Sequence, residues 1–514
     1  MTNHNLFSVL RAGFATELDA IAIETDDGLA YSWRDLERAS AMLANLLQRL
    51  DLPIGSRIAV QVEKSVEAAL LYLATLRAGH VFLPLNTAYQ SAEIAYFIDN
   101  ARPAVVVCSS HNFGWVSKLA FSADTGHVFT LDDDRSGTLL ERAAHCSDRH
   151  LVVARGRDDL AAILYTSGTT GRSKGAMLTH GNLISNARVL HRYWGWRAPG
   201  QGADVLIHAL PIFHVHGLFV ALHGALLSGS KMIWLSKFDA AVVLRKMPQA
   251  TVFMGVPTLY VRLLALAGLD RHAARNMRLF VAGSAPLLLE TFHAWQERTG
   301  HTIVERYGMS ETAMLTSNPY SPHDGERRGG TVGFALPGVE LRVQDDKGQQ
   351  LPAGEIGAIE VRGPNVFAGY WRMPDKTRLE FTADGFFRTG DVGCVDARGY
   401  VTIVGRSKDL IISGGFNVYP AEVEACINDL AGVAESALVG VPHPDFGEAG
   451  VAIVVAKPGA RLDPRQIVAA LKSQLANFKV PKYCFVAQDL PRNAMGKVQK
   501  NLLRDQYQHL FGRP

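Results

Sequence analysis

For about its first four hundred residues the chain alternates short apolar runs of strand composition with segments of helical period, and this alternation most narrows what it can fold into. Residues 57–61, 105–108, 205–210, 231–235, 251–255 and 278–282 read as buried strands. Residues 33–50 (capped by Ser32), 65–79, 217–227, 240–246, a stretch from Pro257 and 287–298 read as helices. Strands separated by helices are joined by crossovers, so the expected sheets are parallel and covered on both faces. From about residue 330 glycine and proline become frequent and the strands short, which suits a small β-rich subdomain. Beyond Lys408 a new mixture of helices and strands begins. The reading is an α/β chain with an N-terminal domain over 1–407 and a smaller α+β C-terminal domain over 408–514.

Charge and cysteine content exclude several classes. A net charge of +3 over 514 residues, with no long basic run, does not imply a nucleic-acid partner. The five cysteines are scattered and lack Cys-x-x-Cys spacing, as expected of reduced thiols rather than a disulfide or zinc framework. No run of about 18 apolar residues suggests a membrane span, and the amino terminus lacks the features of a signal peptide. A cytoplasmic enzyme is the default expectation.

Residues 165–175 read Tyr-Thr-Ser-Gly-Thr-Thr-Gly-Arg-Ser-Lys-Gly, directly after the apolar run 160–164. Such a sequence makes either a plain polar loop between strands or a phosphate cradle. In a cradle, glycines allow close backbone approach, hydroxyls and N–H groups donate to phosphate, and Arg172 and Lys174 offset its charge. A Walker A loop is excluded, because Ser173-Lys174-Gly175 stands where Gly-Lys-Ser/Thr is required after Gly168. The density of hydroxyls favours a phosphate loop of another type.

Five further segments look like site material. His214 and His216 sit at a strand-to-helix turn, and a substrate-facing role is preferred over metal because no cysteine or carboxylate lies nearby in sequence. Gly283-Ser284-Ala285-Pro286 follows an apolar strand and opens a helix; its amides could meet an anion or a base edge, or simply turn the chain. Tyr307 offers a stacking face beside Gly308, and Glu311 an oxygen ligand for Mg²⁺ or merely an acidic turn. Asp391, after Thr389-Gly390, suits a ribose diol or a β-turn. Lys497 lies on a loop near the carboxyl terminus, where most lysines are solvated surface.

Taken together and in this order, these motifs resemble the adenylate-forming superfamily of acyl-CoA synthetases, carrier-protein adenylation domains and beetle luciferases, over essentially the whole length. The stretches 206–218, 254–260, 305–312 with 317–320, and 363–371 resemble its malonate–CoA ligase branch. The resemblance implies an N-terminal domain of two parallel α/β subdomains plus a β-rich one, and a mobile C-terminal domain. It implies two half-reactions: malonate, or methylmalonate, attacks the α-phosphate of MgATP to give an acyl-adenylate and pyrophosphate, and CoA then displaces AMP. The alternatives are a CoA ligase for another short or aryl acid, or an adenylation enzyme loading a carrier protein.

By the same resemblance Thr166, Ser167, Gly168, Thr169, Thr170, Gly171 and Lys174 hold the outer phosphates. Gly283, Ser284, Ala285, Pro286, Glu305, Arg306, Tyr307 and Gly308 frame the adenine, Thr312 meets the α-phosphate, and Glu311 holds Mg²⁺. Asp391 and Arg406 take the ribose, Lys497 bridges the reacting groups, and Lys408 is the hinge. His214 gates the tunnel to which Gly414, Gly415 and Phe416 bring CoA. For the acid pocket the candidates are Arg278 against the distal carboxylate, with His214, Ser284, Val215 and Met314 around it; threonine is frequent in that branch where Val215 stands here. The context of Lys497 also resembles loops modified by protein acetyltransferases.

Overall fold

Two sheets with parallel cores carry the large domain of the computed structural model, which describes residues 3–166, 173–200, 202–413, 416–472, 474–493 and 496–511. The first is six-stranded, in the order His127–Thr130, Val105–Cys108, Arg57–Gln61, Val81–Pro84, Leu160–Thr166 and Lys174–Thr179, parallel except for the last pair. That pair is an antiparallel hairpin, and the hydroxyl-rich run joins its two strands. The second sheet has nine strands. Its parallel centre runs Val304–Met309, Leu279–Ala282, Val252–Gly255, Val205–His208, Lys231–Trp234 and Ile21–Thr25, with antiparallel strands at both edges. Strands such as Val105–Cys108 and Leu279–Ala282 are buried at every residue, as a sheet covered on both faces requires.

Helices follow the sequence reading closely. Trp33–Gln48 starts at Ser32, whose hydroxyl accepts from Asp35 N while the Asp35 carboxylate accepts from Ser32 N. One expected helix differs in kind: 217–227 is a π-helix, His216–Leu222, followed by the α-helix His223–Ser228. Gly217 abuts Pro211 so closely that a Cβ there would lie 2.1 Å from the Pro211 carbonyl oxygen. Its own carbonyl accepts from a ring nitrogen of His208 at 3.0 Å.

The β-rich subdomain is a four-stranded antiparallel sheet ending at Val401–Arg406. The chain then passes through a 3₁₀ turn, Ser407–Asp409, into a five-stranded sheet flanked by Pro420–Asn428, Pro464–Lys472 and Lys500–Tyr507. That small C-terminal domain has its own apolar core around Ile411, Val423, Ile427, Leu438, Val454 and Leu471. Among the described residues no helix is long and apolar enough to cross a membrane.

Candidate active site

The site opens at the carboxyl ends of the parallel strands of the nine-stranded sheet, where ligands of open α/β sheets gather. Leu279–Ala282 leads into Gly283 and Ser284, the latter with φ of +71°. Gly283 rests on the Arg306 guanidinium; a Cβ there would come within 2.6 Å of it. Alternation along Val304–Met309 turns neighbouring side chains to opposite faces. Glu305 Oε1 accepts from Leu287 N at 3.1 Å, and burial pushes its carboxyl up to about 8. Arg306 faces Ser284, its Nη2 lying 3.4 Å from Oγ; burial pulls it down to about 9, and Nε has no hydrogen-bond partner among the described residues.

His214 and His216 lie beside this guanidinium. Burial first, then the charges of Lys497 and Arg306, holds His214 down at about 3, and His216 is depressed by burial and Arg306. Both rings are therefore neutral near pH 7. Among the described residues no cluster of three or more His, Cys, Asp or Glu side chains could hold a metal ion.

At the end of the cleft expected to take the nucleoside, the Tyr307 hydroxyl donates to Asp391 Oδ2, and Arg406 Nε pairs with Asp391 Oδ1 at 2.9 Å. At the end expected to take the phosphates, Glu311 is buried, and its Oε1 accepts from Tyr370 Oη at 3.0 Å and from Thr166 Oγ1 at 3.4 Å. Lys174 lies 4.4 Å from the centre of the Tyr370 ring and 3.6 Å from the Glu380 carboxylate. Residues 167–171 of the expected phosphate loop, like Gly414 and Gly415, lie outside the described residues.

Lys497 comes into this cleft from the C-terminal domain. Its loop is closed on itself: Lys497 N donates to Asn493 Oδ1 at 3.0 Å, Asn493 N to Lys497 O at 2.9 Å, and Arg492 Nη1 to Gly496 O at 2.7 Å. Arg492 is in turn paired with Glu435. Gly496, with φ of +72°, faces Thr258 of the large domain. Burial, reinforced by Arg406, lowers the Lys497 ammonium to about 8. Lys457 and Glu290 join the two domains by an ion pair of 2.6 Å. Lys408 lies in the 3₁₀ turn between the domains, and Phe416 is half-exposed with its ring stacked on Phe478 at 4.7 Å.

Val215 is buried immediately before the π-helix, and Met314 is buried in the strand Ala313–Ser317 that borders it. Arg278 is a correction. Its guanidinium is committed to the fully buried Asp204, donates to Trp194 O at 3.1 Å and covers the Tyr320 ring. It stands before the first residue of Leu279–Ala282, at the end of the strand away from Gly283, roughly 15 Å along a strand of about 3.3 Å rise per residue. It cannot meet a substrate carboxylate. Sequence reasoning gave no role to Asn186, nor to Asn365 and Tyr370 within the stretch 363–371; all three hold the Glu311–Met314 segment.

The chain belongs to the AMP-binding enzyme family: residues 11–371 match the model for the AMP-binding enzyme and 422–497 that for the AMP-binding enzyme C-terminal domain. A malonate–CoA ligase of Arabidopsis thaliana is 34% identical, over 97% of this chain and 89% of its own. The ATP-bound crystal structure of MatB from Rhodopseudomonas palustris is 52% identical and covers 99% of this chain and 100% of its own, with a TM-score of 0.95. The apo form of that protein scores 0.84 at the same coverage. The chain as a whole thus superposes better on the ATP-bound structure than on the apo structure.

Proposed function

We propose that the protein is an AMP-forming acid–CoA ligase that joins malonate to coenzyme A through malonyl-adenylate. The observation that carries the choice of acid is Arg306, a buried guanidinium with no carboxylate partner among the described residues, set between Ser284 and the two neutral histidines. A buried cation without a counter-ion is unfavourable until an anion arrives. The distal carboxylate of malonate supplies that anion, and Arg306 takes the part expected of Arg278. The malonate–CoA ligase of Arabidopsis thaliana supports the same reading.

In the first half-reaction one oxygen of the other malonate carboxylate bonds to the α-phosphorus, the bond to the bridging oxygen breaks, and pyrophosphate leaves. Lys497 stabilises the negative charge that grows on the α-phosphate and the attacking oxygen. Thr166, the 167–171 loop and Lys174 take the outer phosphates; Tyr307 stacks on adenine, framed by Gly283–Pro286, Glu305 and Gly308. Asp391 and Arg406 hold the ribose, and Thr312 the α-phosphate. Mg²⁺ suits the carboxylate of Glu311 beside Thr166, and supplies neutralising charge when bound with ATP.

For the second half-reaction the C-terminal domain, which we bound at 407/408, turns about Lys408 and withdraws Lys497. Gly414, Gly415 and Phe416 then guide pantetheine past His214. The CoA sulfur bonds to the acyl carbon, the carbon–oxygen bond to AMP breaks, and the thiol proton leaves to solvent. Val215 and Met314 form the wall facing the C2 substituent, where methylmalonate would place its methyl group. Lys497 is also a target for a protein acetyltransferase, which would reach it once the domain has swung away. The free thiols suit a reducing compartment such as the cytoplasm.

The test is to incubate the protein with MgATP, CoA and, in turn, malonate, methylmalonate, acetate and benzoate, and to identify the thioester by mass. Malonyl-CoA formed well above the monocarboxylate products supports the reading. A preferred monocarboxylate removes the malonate assignment, and pyrophosphate release without any thioester indicates a carrier-protein acceptor.

A further inference from the structure

The stretch 363–371 was singled out by its sequence, yet none of its residues has a place in the scheme above. In the fold it wraps the segment that bears Glu311 and Thr312. Asn365 Nδ2 donates to Thr312 O at 2.7 Å and to Met314 O at 3.0 Å. Phe367 N donates to Glu311 O at 2.8 Å. Between those carbonyls stands Ala313 with φ of +50°, a left-handed conformation that costs a non-glycine residue about 1 kcal/mol or more and persists only where its surroundings impose it. A second amide secures the far side: Asn186 Nδ2 donates to Met314 O at 2.8 Å, while Met314 N donates to Asn186 Oδ1 at 3.3 Å.

Tyr370 ends the wrap, and its two chemical parts face different partners. The hydroxyl donates to Glu311 Oε1. The ring carries the Lys174 ammonium on its face at 4.4 Å, within cation–π range. One buried side chain thus meets both the carboxylate expected to hold Mg²⁺ and the lysine expected to hold phosphate. Glu311 points at the phosphate end of the cleft only if its backbone keeps the strained turn and its carboxylate keeps this donor.

We propose that Tyr370 is a positioning residue for the metal–phosphate end of the site, aiming Glu311 through its hydroxyl and seating Lys174 on its ring, while Asn365 holds the strained Ala313 turn beneath them. This rests on the nucleotide site of the reading above, not on its choice of acid. The hydroxyl and the ring act separately, so they are separable by mutation. Tyr370→Phe removes the hydroxyl and keeps the ring; Tyr370→Leu removes both.

The experiment is calorimetric titration of the full-length protein with ATP, in the presence and absence of Mg²⁺. For Tyr370→Phe the dissociation constant for MgATP is expected to rise about tenfold, the loss of one hydrogen bond to a charged group, with metal-free ATP binding changed less than about twofold. Tyr370→Leu is expected to weaken both. Asn365→Asp, which cannot donate to the two carbonyls, is expected to follow Tyr370→Phe, with thermal unfolding recorded alongside to report any loss of fold. The proposal is overturned if Tyr370→Phe binds both forms as the wild type does, weakens both equally, or if the wild type shows no metal dependence. Wild-type protein that binds MgATP metal-dependently but yields no malonyl-CoA would sink the acid assignment and leave this proposal standing.

Discussion

The Tyr307 hydroxyl and the Asp391 carboxylate are hydrogen-bonded across the seam between the nine-stranded sheet and the four-stranded sheet. Each was expected to touch a different part of the nucleotide, and each fixes the other before any nucleotide arrives. Arg406 takes the second Asp391 oxygen, so the carboxylate is aimed from two sides.

Tyr307→Phe therefore keeps the stacking ring but unpins Asp391. The KM for ATP should rise about tenfold, the worth of a hydrogen bond to a charged group, with kcat little changed. A fall in kcat at unchanged KM would contradict this assignment.

Lys497→Ala should lower malonate-dependent ATP–pyrophosphate exchange at least about a hundredfold, the usual scale for removing a preorganised charge from a transition state. Thioester formation from supplied malonyl-adenylate should survive. Equal loss of both half-reactions would mean that the lysine serves the fold rather than the first step.

The same lysine sets a pH dependence. Its ammonium is held at about 8 by burial and by Arg406, and only the cation can stabilise the developing charge. The adenylation kcat/KM should fall as pH rises through about 8, and Lys497→Arg, where active, should move that limb upward.

Arg306 and Arg278 separate in their effects. Arg306→Gln should reduce kcat/KM for malonate about a hundredfold while leaving acetate nearly unaffected, so the malonate-to-acetate ratio collapses. Arg278→Ala leaves Asp204 buried and unpaired and should cost about 3–5 kcal/mol of stability, with the ratio unchanged. Substrate competition assays and denaturant melts distinguish the two.

Glu305 offers a stability test. Its folded pKa is raised to about 8 from an ordinary 4.5, so its contribution is fully present below the unfolded value and is lost as pH rises through the folded one. Glu305→Gln should accordingly gain in melting temperature relative to wild type at pH 9 and show little difference at pH 4. The reverse order would place the carboxylate in a better-solvated setting than the fold shows.

The place of the site segments in the fold was legible because they lie within or just past the ends of apolar strands, and ligands of parallel sheets gather at the carboxyl ends of strands. Glu305–Gly308, Gly283–Pro286 and Thr166 could be placed in this way. The same rule bears against Arg278, which precedes its strand; proximity in sequence to Gly283 concealed the length of a strand between them. Tyr370, Asn186 and Asn365 act through bonds to residues more than fifty positions away, and no local pattern encodes such partners. The unpaired state of Arg306 is equally invisible, since it depends on which acids the fold leaves out of reach. The parallel pairing of Ile21–Thr25 with Lys231–Trp234 joins segments some two hundred residues apart, and only packing selects it.

The closed loop around Lys497 bears on how the enzyme cycles. Fixing one residue of a free loop takes about 1–2 kcal/mol of conformational entropy, and a lysine on a slack tether would meet that penalty afresh at every turnover. Here Asn493 and Arg492 already hold the backbone of Lys497 and Gly496, so the ordering of these residues is completed once, during folding. Under the proposed domain rotation the lysine would arrive and depart like a tooth on a gear, its approach governed by the swing of a whole domain and not by the search of a chain.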